Sequence, residues 1–375
     1  MNALTVPNGV AVALFGIALS AAFCDIHWTK KNCIILAVGS AAILLLQGAI
    51  TFGASWDAMQ ELYPFTTHLP LAVILGVLSG DWLWPTISVL AAYLCCQLRR
   101  WVALLVIAMV PGIDFAGRVS ESRDARYTPG QAVILTGWGV GENHWGGLAT
   151  QACVKGDWLV PLPQSLSARN AMIIGTAGFT AMLCVNALQE AGVKPQDGTV
   201  LVTGASGGVG STAVVLLKAL GYRVAAVTGR ESTHAFLRQL GADEILPRSE
   251  FDETRPLEKQ LWAGAVDTVG SKVLAKVLAQ TNYGGCVAAC GLAGGFDLPT
   301  SVMPFILRNV RLQGVDSVMV PTEQRSAVWE KLASTLPESY YQQAATEIAL
   351  EQVPATAAEF LNNNIHGRTL VNIHA

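Results

Sequence analysis

Beyond Thr199 the apolar positions come in short runs that alternate with helix-length segments. Residues 200–203, 224–227, 244–246, 265–268 and 286–290 read as buried strands, and the stretches between them as crossover helices. That alternation is the mark of βαβ units and of a doubly wound parallel sheet, an α/β Rossmann domain. The first hundred residues have another texture. Residues 6–24 and 33–52 are uncharged, mainly apolar runs of about the 20 residues that cross a bilayer core. Residues 69–96 are interrupted by Ser79-Gly80-Asp81 and Pro85, and read as one tilted span or two short ones. An all-α transmembrane segment, with membrane contact through residues 6–96, is therefore expected ahead of the α/β part.

The glycines of Gly204-Ala205-Ser206-Gly207-Gly208-Val209-Gly210 follow the strand-like run ending at Thr203 and open a helix-like segment over 211–220. Glycine-rich turns also occur without a ligand, but between strand and helix the spacing fits a dinucleotide site. Gly204 permits the tight turn, Gly207 lets backbone N–H groups approach a pyrophosphate, and Gly210 brings helix against strand. The helix N-terminus adds partial positive charge. An NAD site places an acid about 20 residues further on, where it takes the ribose 2′-hydroxyl. Here the next strand ends in Thr228-Gly229-Arg230. A hydroxyl and a guanidinium suit a 2′-phosphate, so NADPH is the expected cofactor. The competing reading of Arg230 is a solvated first-turn side chain.

Length, 375 residues, suggests two or three domains. A net charge of −3 gives no sign of a nucleic-acid partner. Before Val110 the only charged residues are Asp25, Lys30, Lys31, Asp57, Glu61, Asp81, Arg99 and Arg100. Three spans with the amino terminus outside would place both basic pairs in the cytoplasm, and everything beyond Arg100 with them. The expected address is the inner membrane with a cytoplasmic α/β half, or plain cytoplasm without the apolar segment. The eight cysteines (24, 33, 95, 96, 153, 184, 286 and 290) form no CxxC and no zinc spacing. A reducing compartment and no structural metal are expected. Ligands of open α/β sheets sit outside the carboxyl ends of the strands, which singles out residues 204–210, 228–230, 267–270 and 290–292.

Pro111-Gly112-Ile113-Asp114-Phe115-Ala116-Gly117, the run Leu135-Thr136-Gly137-Trp138-Gly139-Val140-Gly141-Glu142-Asn143-His144-Trp145-Gly146-Gly147, Gly175-Thr176-Ala177-Gly178-Phe179-Thr180-Ala181 and the glycine turn together resemble the medium-chain dehydrogenase/reductases. The likeness is greatest to the acryloyl-CoA reductase, quinone-oxidoreductase-like family. Behind the membrane segment that the apolar runs place over 1–105, it implies a truncated β-rich GroES-like catalytic domain over 106–165, a Rossmann NADPH-binding domain over 166–309, and a return to the catalytic domain over 310–375. It implies NADPH-dependent reduction of the C=C bond of a small enoyl-CoA, or of a quinone, with the nicotinamide near Cys290-Gly291-Leu292 and Gly367-Arg368-Thr369. The expected partners are that acyl-CoA or quinone and a second copy meeting the first through the Rossmann domain.

His144 reads as a substrate contact or as the donor of a loop-ordering hydrogen bond. Asp114 reads as tying its own turn. Cys290 reads as a small buried strand-end residue, since no histidine is placed as its base. Family members carry an amino-terminal β-rich stretch with Asn-Tyr-Lys-Asp beside the active site, and no counterpart precedes Pro111 here. A tyrosine from that stretch is the candidate acid, so weakened catalysis is expected, and a non-enzymatic membrane protein that only binds nucleotide is the competing class. Residues 1–101 loosely resemble the sensor region of bacterial peptide-sensing histidine kinases in Thr67-His68-Leu69-Pro70-Leu71 and in the Tyr93 to Trp101 stretch, with no kinase motifs following.

Overall fold

The computed structural model describes residues 110–362 and 364–373. The expected spans within 6–96 and the sensor-like motifs lie outside the described residues.

Three antiparallel strands come first: β1 (Asp114–Arg118), β2 (Ala132–Thr136) and β3 (Val160–Pro161), in the order β1-β2-β3. Strand β2 is Ala-Val-Ile-Leu-Thr, and its period of two serves two cores. Val133 and Leu135 pack with Tyr127, Val140 and Leu159, while Ile134 faces the main core. Helix α1 (Ala168–Glu190) follows, its first turn capped by the Ser167 hydroxyl, which accepts from the Asn170 N–H at 3.0 Å. It is apolar on all sides, as a helix enclosed by protein must be. Among the described residues it is the one helix long and apolar enough to cross a membrane, and most of its surface is buried in the domain core. It bends at Gly175, whose φ of 52° and ψ of −163° leave the helical region.

The main sheet then forms from β4 (Thr199–Val202), β5 (Arg223–Thr228), β6 (Glu244–Pro247), β7 (Trp262–Asp267), β8 (Thr281–Ala289) and β9 (Arg311–Gly314). Its order is β6-β5-β4-β7-β8-β9, with every pair parallel. The order reverses beside β4, where a doubly wound sheet opens a crevice for ligands. Helices α2 (Gly208–Ala219), α3 (His234–Gln239), α4 (Ser271–Gln280) and α5 (Met303–Arg308) make the crossovers. Both faces of the sheet are covered, so its strands read as continuous apolar runs. Val200, Val202, Val224, Ala226, Val266 and Ala288 face α1 and α2. Leu201, Ala225, Val227, Ala265 and Val287 face Val273, Leu274, Val277 and Leu278 of α4. After β9 come α6 (Thr322–Thr335), α7 (Glu338–Gln343), β10 (Ala345–Ala349), α8 (Val353–Leu361) and β11 (Arg368–Asn372), with β10 and β11 paired in parallel.

Two expectations need correction. Helix α2 begins at Gly208 rather than at 211, because the last glycines of the turn already hold helical geometry behind the N-cap Gly207. The sheet also continues past the expected boundary at 309, since β9 pairs with β8 from Cys286↔Arg311 to Ala289↔Gly314. Arg-Leu-Gln-Gly is exposed throughout, an edge strand without the apolar run that marks its neighbours.

Phe179 anchors the packing of α1 on α6, with no exposure and its ring 6.0 Å from that of Trp329. Phe179→Ala is expected to cost about 3–5 kcal/mol through the lost burial and the cavity left behind. Urea denaturation checks this: the midpoint should fall with an unchanged slope, and a loss below about 1 kcal/mol would show that the site collapses onto the void.

Candidate functional site

The crevice at the carboxyl ends of the strands is shaped first by what glycine lacks. Gly204 has φ 56°, and a Cβ there would run into the Thr268 hydroxyl. A Cβ on Gly210 would strike the Gly204 carbonyl, which is why α2 can start directly under the strand. Gly207 is the N-cap, no side chain closes the helix end, and its nearest neighbour is the Gly204 carbonyl at 3.4 Å from a built Cβ. The first N–H groups of α2 thus point at open space beside a small residue, the arrangement that receives a pyrophosphate. Gly208 is walled in, since a Cβ would lie 3.1 Å from that of Ala177 and 3.2 Å from Cδ of Arg368. Val209 is half-buried against the core.

The strand tip beside this turn gathers three of the expected residues. Arg230 donates from Nη2 to the Ser206 hydroxyl at 2.8 Å and from Nη1 to the Ile365 carbonyl at 2.9 Å. The Thr228 hydroxyl accepts from the Arg230 N–H at 3.2 Å and lies 3.4 Å from Ser206 Oγ and 3.1 Å from Thr233 Oγ1. Arg230 is therefore half-buried and pinned, not a solvated first-turn residue. The Gly367 N–H donates to the Ser206 carbonyl at 3.0 Å, which ties the carboxy-terminal segment to the same turn.

Beneath the turn, Asp267 is fully buried at the end of β7. Its oxygens accept from the Thr203 hydroxyl at 2.7 Å and from the Gly270 N–H at 2.8 Å. Burial raises its carboxyl above the ordinary range, and the Thr203 hydrogen bond only partly opposes that. Thr268 completes the tie by donating its hydroxyl to the Thr203 carbonyl at 3.0 Å. The sequence marked this strand end without showing that its carboxylate stitches β4 to β7.

Arg368, also expected here, donates from Nε to the Ile173 carbonyl at 3.0 Å, and its Nη2 lies 3.6 Å from Asp114 Oδ2. Asp114 accepts from the Thr176 N–H at 2.8 Å and from the Thr176 hydroxyl. It does not tie its own turn, as expected, but the bend of α1, 62 residues further along the chain. Its carboxyl is raised by burial and drawn back by Arg368. The bend needs Gly175, because a Cβ there would press on both the Arg368 guanidinium and the Asp114 carboxylate.

The loop from Gly137 to Gly147 follows β2 and packs back on the segment that leads into β1. The Trp138 N–H donates to the Val318 carbonyl at 3.1 Å, and its ring lies 6.5 Å from that of Trp158. His144 is exposed, its ring packed 4.6 Å from that of Trp158, while the Gly141 N–H closes the loop onto the His144 carbonyl at 2.8 Å. Ring contact and backbone order this loop, rather than an imidazole hydrogen bond. The Cys290 thiol donates to the Asp267 carbonyl at 3.5 Å, which fits a strand-end residue rather than a nucleophile. A Cβ on Gly291 would strike the Thr268 carbonyl, and Leu292 is exposed.

One residue carried no signal in the sequence. Arg325 on α6 is 1% exposed and lies 5.1 Å from the rings of both Trp138 and Phe179. It donates to the Val320, Ser317 and Val318 carbonyls at 2.8, 3.0 and 2.7 Å, and to the Thr136 hydroxyl at 3.1 Å. Burial pulls its pKa down to about 10. It holds the 317–320 segment and the Trp138 loop in one register.

Comparison with known proteins agrees with this geometry. The chain is 71% identical over 266 residues to the probable acrylyl-CoA reductase AcuI of Escherichia coli, covering 71% of this chain and 82% of that relative. This chain belongs to the acrylyl-CoA reductase AcuI family of medium-chain dehydrogenase/reductases. It is 53% identical over 268 residues to the acrylyl-CoA reductase AcuI of Ruegeria pomeroyi, covering 71% of this chain and 81% of the relative. The crystal structure of the yhdH oxidoreductase of Salmonella enterica in complex with NADP matches at 72% identity and a TM-score of 0.70, covering 71% of this chain and 82% of that one. The zinc-binding dehydrogenase family matches residues 208–334. Among the described residues no three His, Cys, Asp or Glu side chains cluster as a metal would require, so no step in this AcuI-family chain is drawn through zinc. These relatives are reductases and lend no support to the histidine-kinase likeness of residues 1–101.

The raised carboxyl of Asp267 gives a pH dependence of known sign. Its contribution to stability is complete below its unfolded pKa of about 3.8, and is lost as pH rises through the higher folded value. Asp267→Asn cannot titrate. The stability of wild type relative to this variant should therefore decline upward from about pH 4 and then level off, measured by urea denaturation across that range. A difference that grew with pH would mean that the folded pKa is lowered instead.

Proposed function

We propose that this chain reduces the C=C bond of a small enoyl thioester of the acryloyl-CoA kind with NADPH. The observation that carries the reading is the strand tip, where Ser206, Thr228 and Arg230 converge on the place that an NAD enzyme gives to a carboxylate. The family membership and the NADP complex of the Salmonella relative support the same cofactor. NADPH supplies the hydride when bound. The open N-terminus of α2 takes the pyrophosphate, Arg230 with the two hydroxyls takes the 2′-phosphate, and Arg368 closes the wall beside Gly208. Hydride addition at the β-carbon drives negative charge onto the thioester oxygen and calls for a proton at the α-carbon. Family resemblance assigns that acid to the Asn-Tyr-Lys-Asp stretch, so slow turnover is the expectation for this chain.

Arg230→Ala should weaken NADPH binding by about 1–3 kcal/mol while barely changing NADH, measured by nucleotide fluorescence titration. Equal losses for the two cofactors would overturn the assignment. With acryloyl-CoA and NADPH the expected product is the saturated thioester, while turnover only with quinones would favour the quinone reading. The apolar runs at 6–24 and 33–52 further support anchoring of the reductase at the cytoplasmic membrane. Release of the protein from membranes by carbonate alone would count against it.

A further inference from the structure

Cysteines gather where helix α1 lies across the end of β8. Cys286 and Ala288 pack into the core on the face of the sheet that α1 covers, while Val287 between them packs on the other face. The period of two carries Cys290 to the α1 side as well, where it packs partly buried against the same core. Cys184 meets it from α1 and has no exposure. The Cys184 thiol lies within hydrogen-bonding reach of the Cys290 side chain, and that contact, together with burial, pushes it well above the ordinary thiol range. Cys290 in turn donates to the Asp267 carbonyl at 3.5 Å. Cys286 stands four residues before Cys290, about 13 Å along an extended strand, too far to bridge to it.

The two thiols in contact differ in access. Cys184 is sealed in the core, whereas Cys290 is half-buried beside Gly291 and the exposed Leu292. A buried thiol by itself is inert. At the solvent edge, with a second thiol directly behind it, the first product of oxidation is captured as it forms. The Cys290 sulfur attacks an oxygen of a hydroperoxide and the O–O bond breaks. Cys290 becomes a sulfenic acid, and its thiol proton leaves with the released alcohol or water. The Cys184 sulfur then displaces the sulfenic oxygen, which takes up the Cys184 proton and departs as water. Two thiols are oxidised to one disulfide, and the peroxide takes the two electrons.

We propose that Cys184 and Cys290 form a disulfide site, closed by hydroperoxides, whose closure loosens the nucleotide crevice. Sulfurs in non-bonded contact must come to about 2.05 Å for the bond to form. Helix α1 is enclosed by the domain core, so the tip of β8 is the side that moves. That movement pulls on the Cys290 N–H, which donates to the Asp267 carbonyl at 2.9 Å, and on Gly291, packed against the Thr268 carbonyl. The effect on the crevice rests on the NADPH reading above, and the formation of the disulfide does not.

The test treats the reduced full chain with hydrogen peroxide, blocks the remaining thiols and maps the peptides by mass spectrometry without reduction. A cross-link from Cys184 is expected, kept in C286S and lost in C290S. NADPH affinity, read by nucleotide fluorescence, should fall about tenfold on oxidation, the change that one lost hydrogen-bonded contact brings, and return with dithiothreitol. C184A should bind NADPH as wild type does and form no cross-link. Absence of a cross-link at Cys184, or its survival in C290S, would overturn the site. A cross-linked chain that held NADPH as tightly as the reduced one would overturn the coupling to the crevice. Reduced wild type without NADPH binding would overturn the cofactor reading instead, with the peptide map still deciding the disulfide.

Discussion

Asp114 stands where strand β1, the bend of α1 and the return strand β11 meet, and the arrangement of the described residues follows from keeping its charge satisfied. A carboxylate taken out of water costs several kcal/mol unless donors and a counter-charge surround it. Thr176 gives it an N–H and a hydroxyl, and Arg368 stands 3.6 Å away. Both supports require α1 to bend at Gly175, because a regular helix with a side chain at that position would occupy the space of the ion pair. Once bent, the helix fixes Arg368 through the Ile173 carbonyl and brings its stem against Gly208. A charge on the small sheet thereby determines one wall of the nucleotide crevice in the large one.

The same economy governs the buried polar groups around the crevice. Among the described residues Asp267 has no counter-charge within hydrogen-bonding reach, and it relies on the Thr203 hydroxyl and the Gly270 N–H. Among the described residues Arg325 has no carboxylate at bonding distance, and it relies on three backbone carbonyls, a hydroxyl and two aromatic faces. Each binds loops from separate elements together, and a partly satisfied network of this kind would be worse than an apolar core. These residues act through placement: none of them reaches into the space that the glycines leave open.

Much of this was legible in the chain. The strands of the large sheet announced themselves as apolar runs because helices cover both faces, and the glycine turn could be read because positive φ and close backbone approach leave few alternatives to glycine. The Thr228–Arg230 tip was legible for a chemical reason, the missing acid. What escaped was non-local or unpatterned. Strand β9 lies at an edge and carries no apolar run. The partner of Asp114 is 62 residues away, and Arg325 is one arginine on an otherwise ordinary helix, its burial decided by segments that no spacing rule connects. The bend at Gly175 sits inside an apolar stretch where a glycine looks like any small residue.

The tie between Ser206 and the end of the chain bears on the order of biosynthesis. The Gly367 N–H closes onto the Ser206 carbonyl, the Ile365 carbonyl holds Arg230, and Arg368 leans on Gly208. The nucleotide crevice is therefore assembled from residues some 135 to 160 positions apart in the chain, made at different times. A nascent chain that has the glycine turn but not yet Ile365, Gly367 and Arg368 lacks that wall and clamp, so the complete crevice forms only once these residues are made. Stabilisation by nucleotide works only on the state that binds it, so the large sheet forms on its own packing before that contribution is complete.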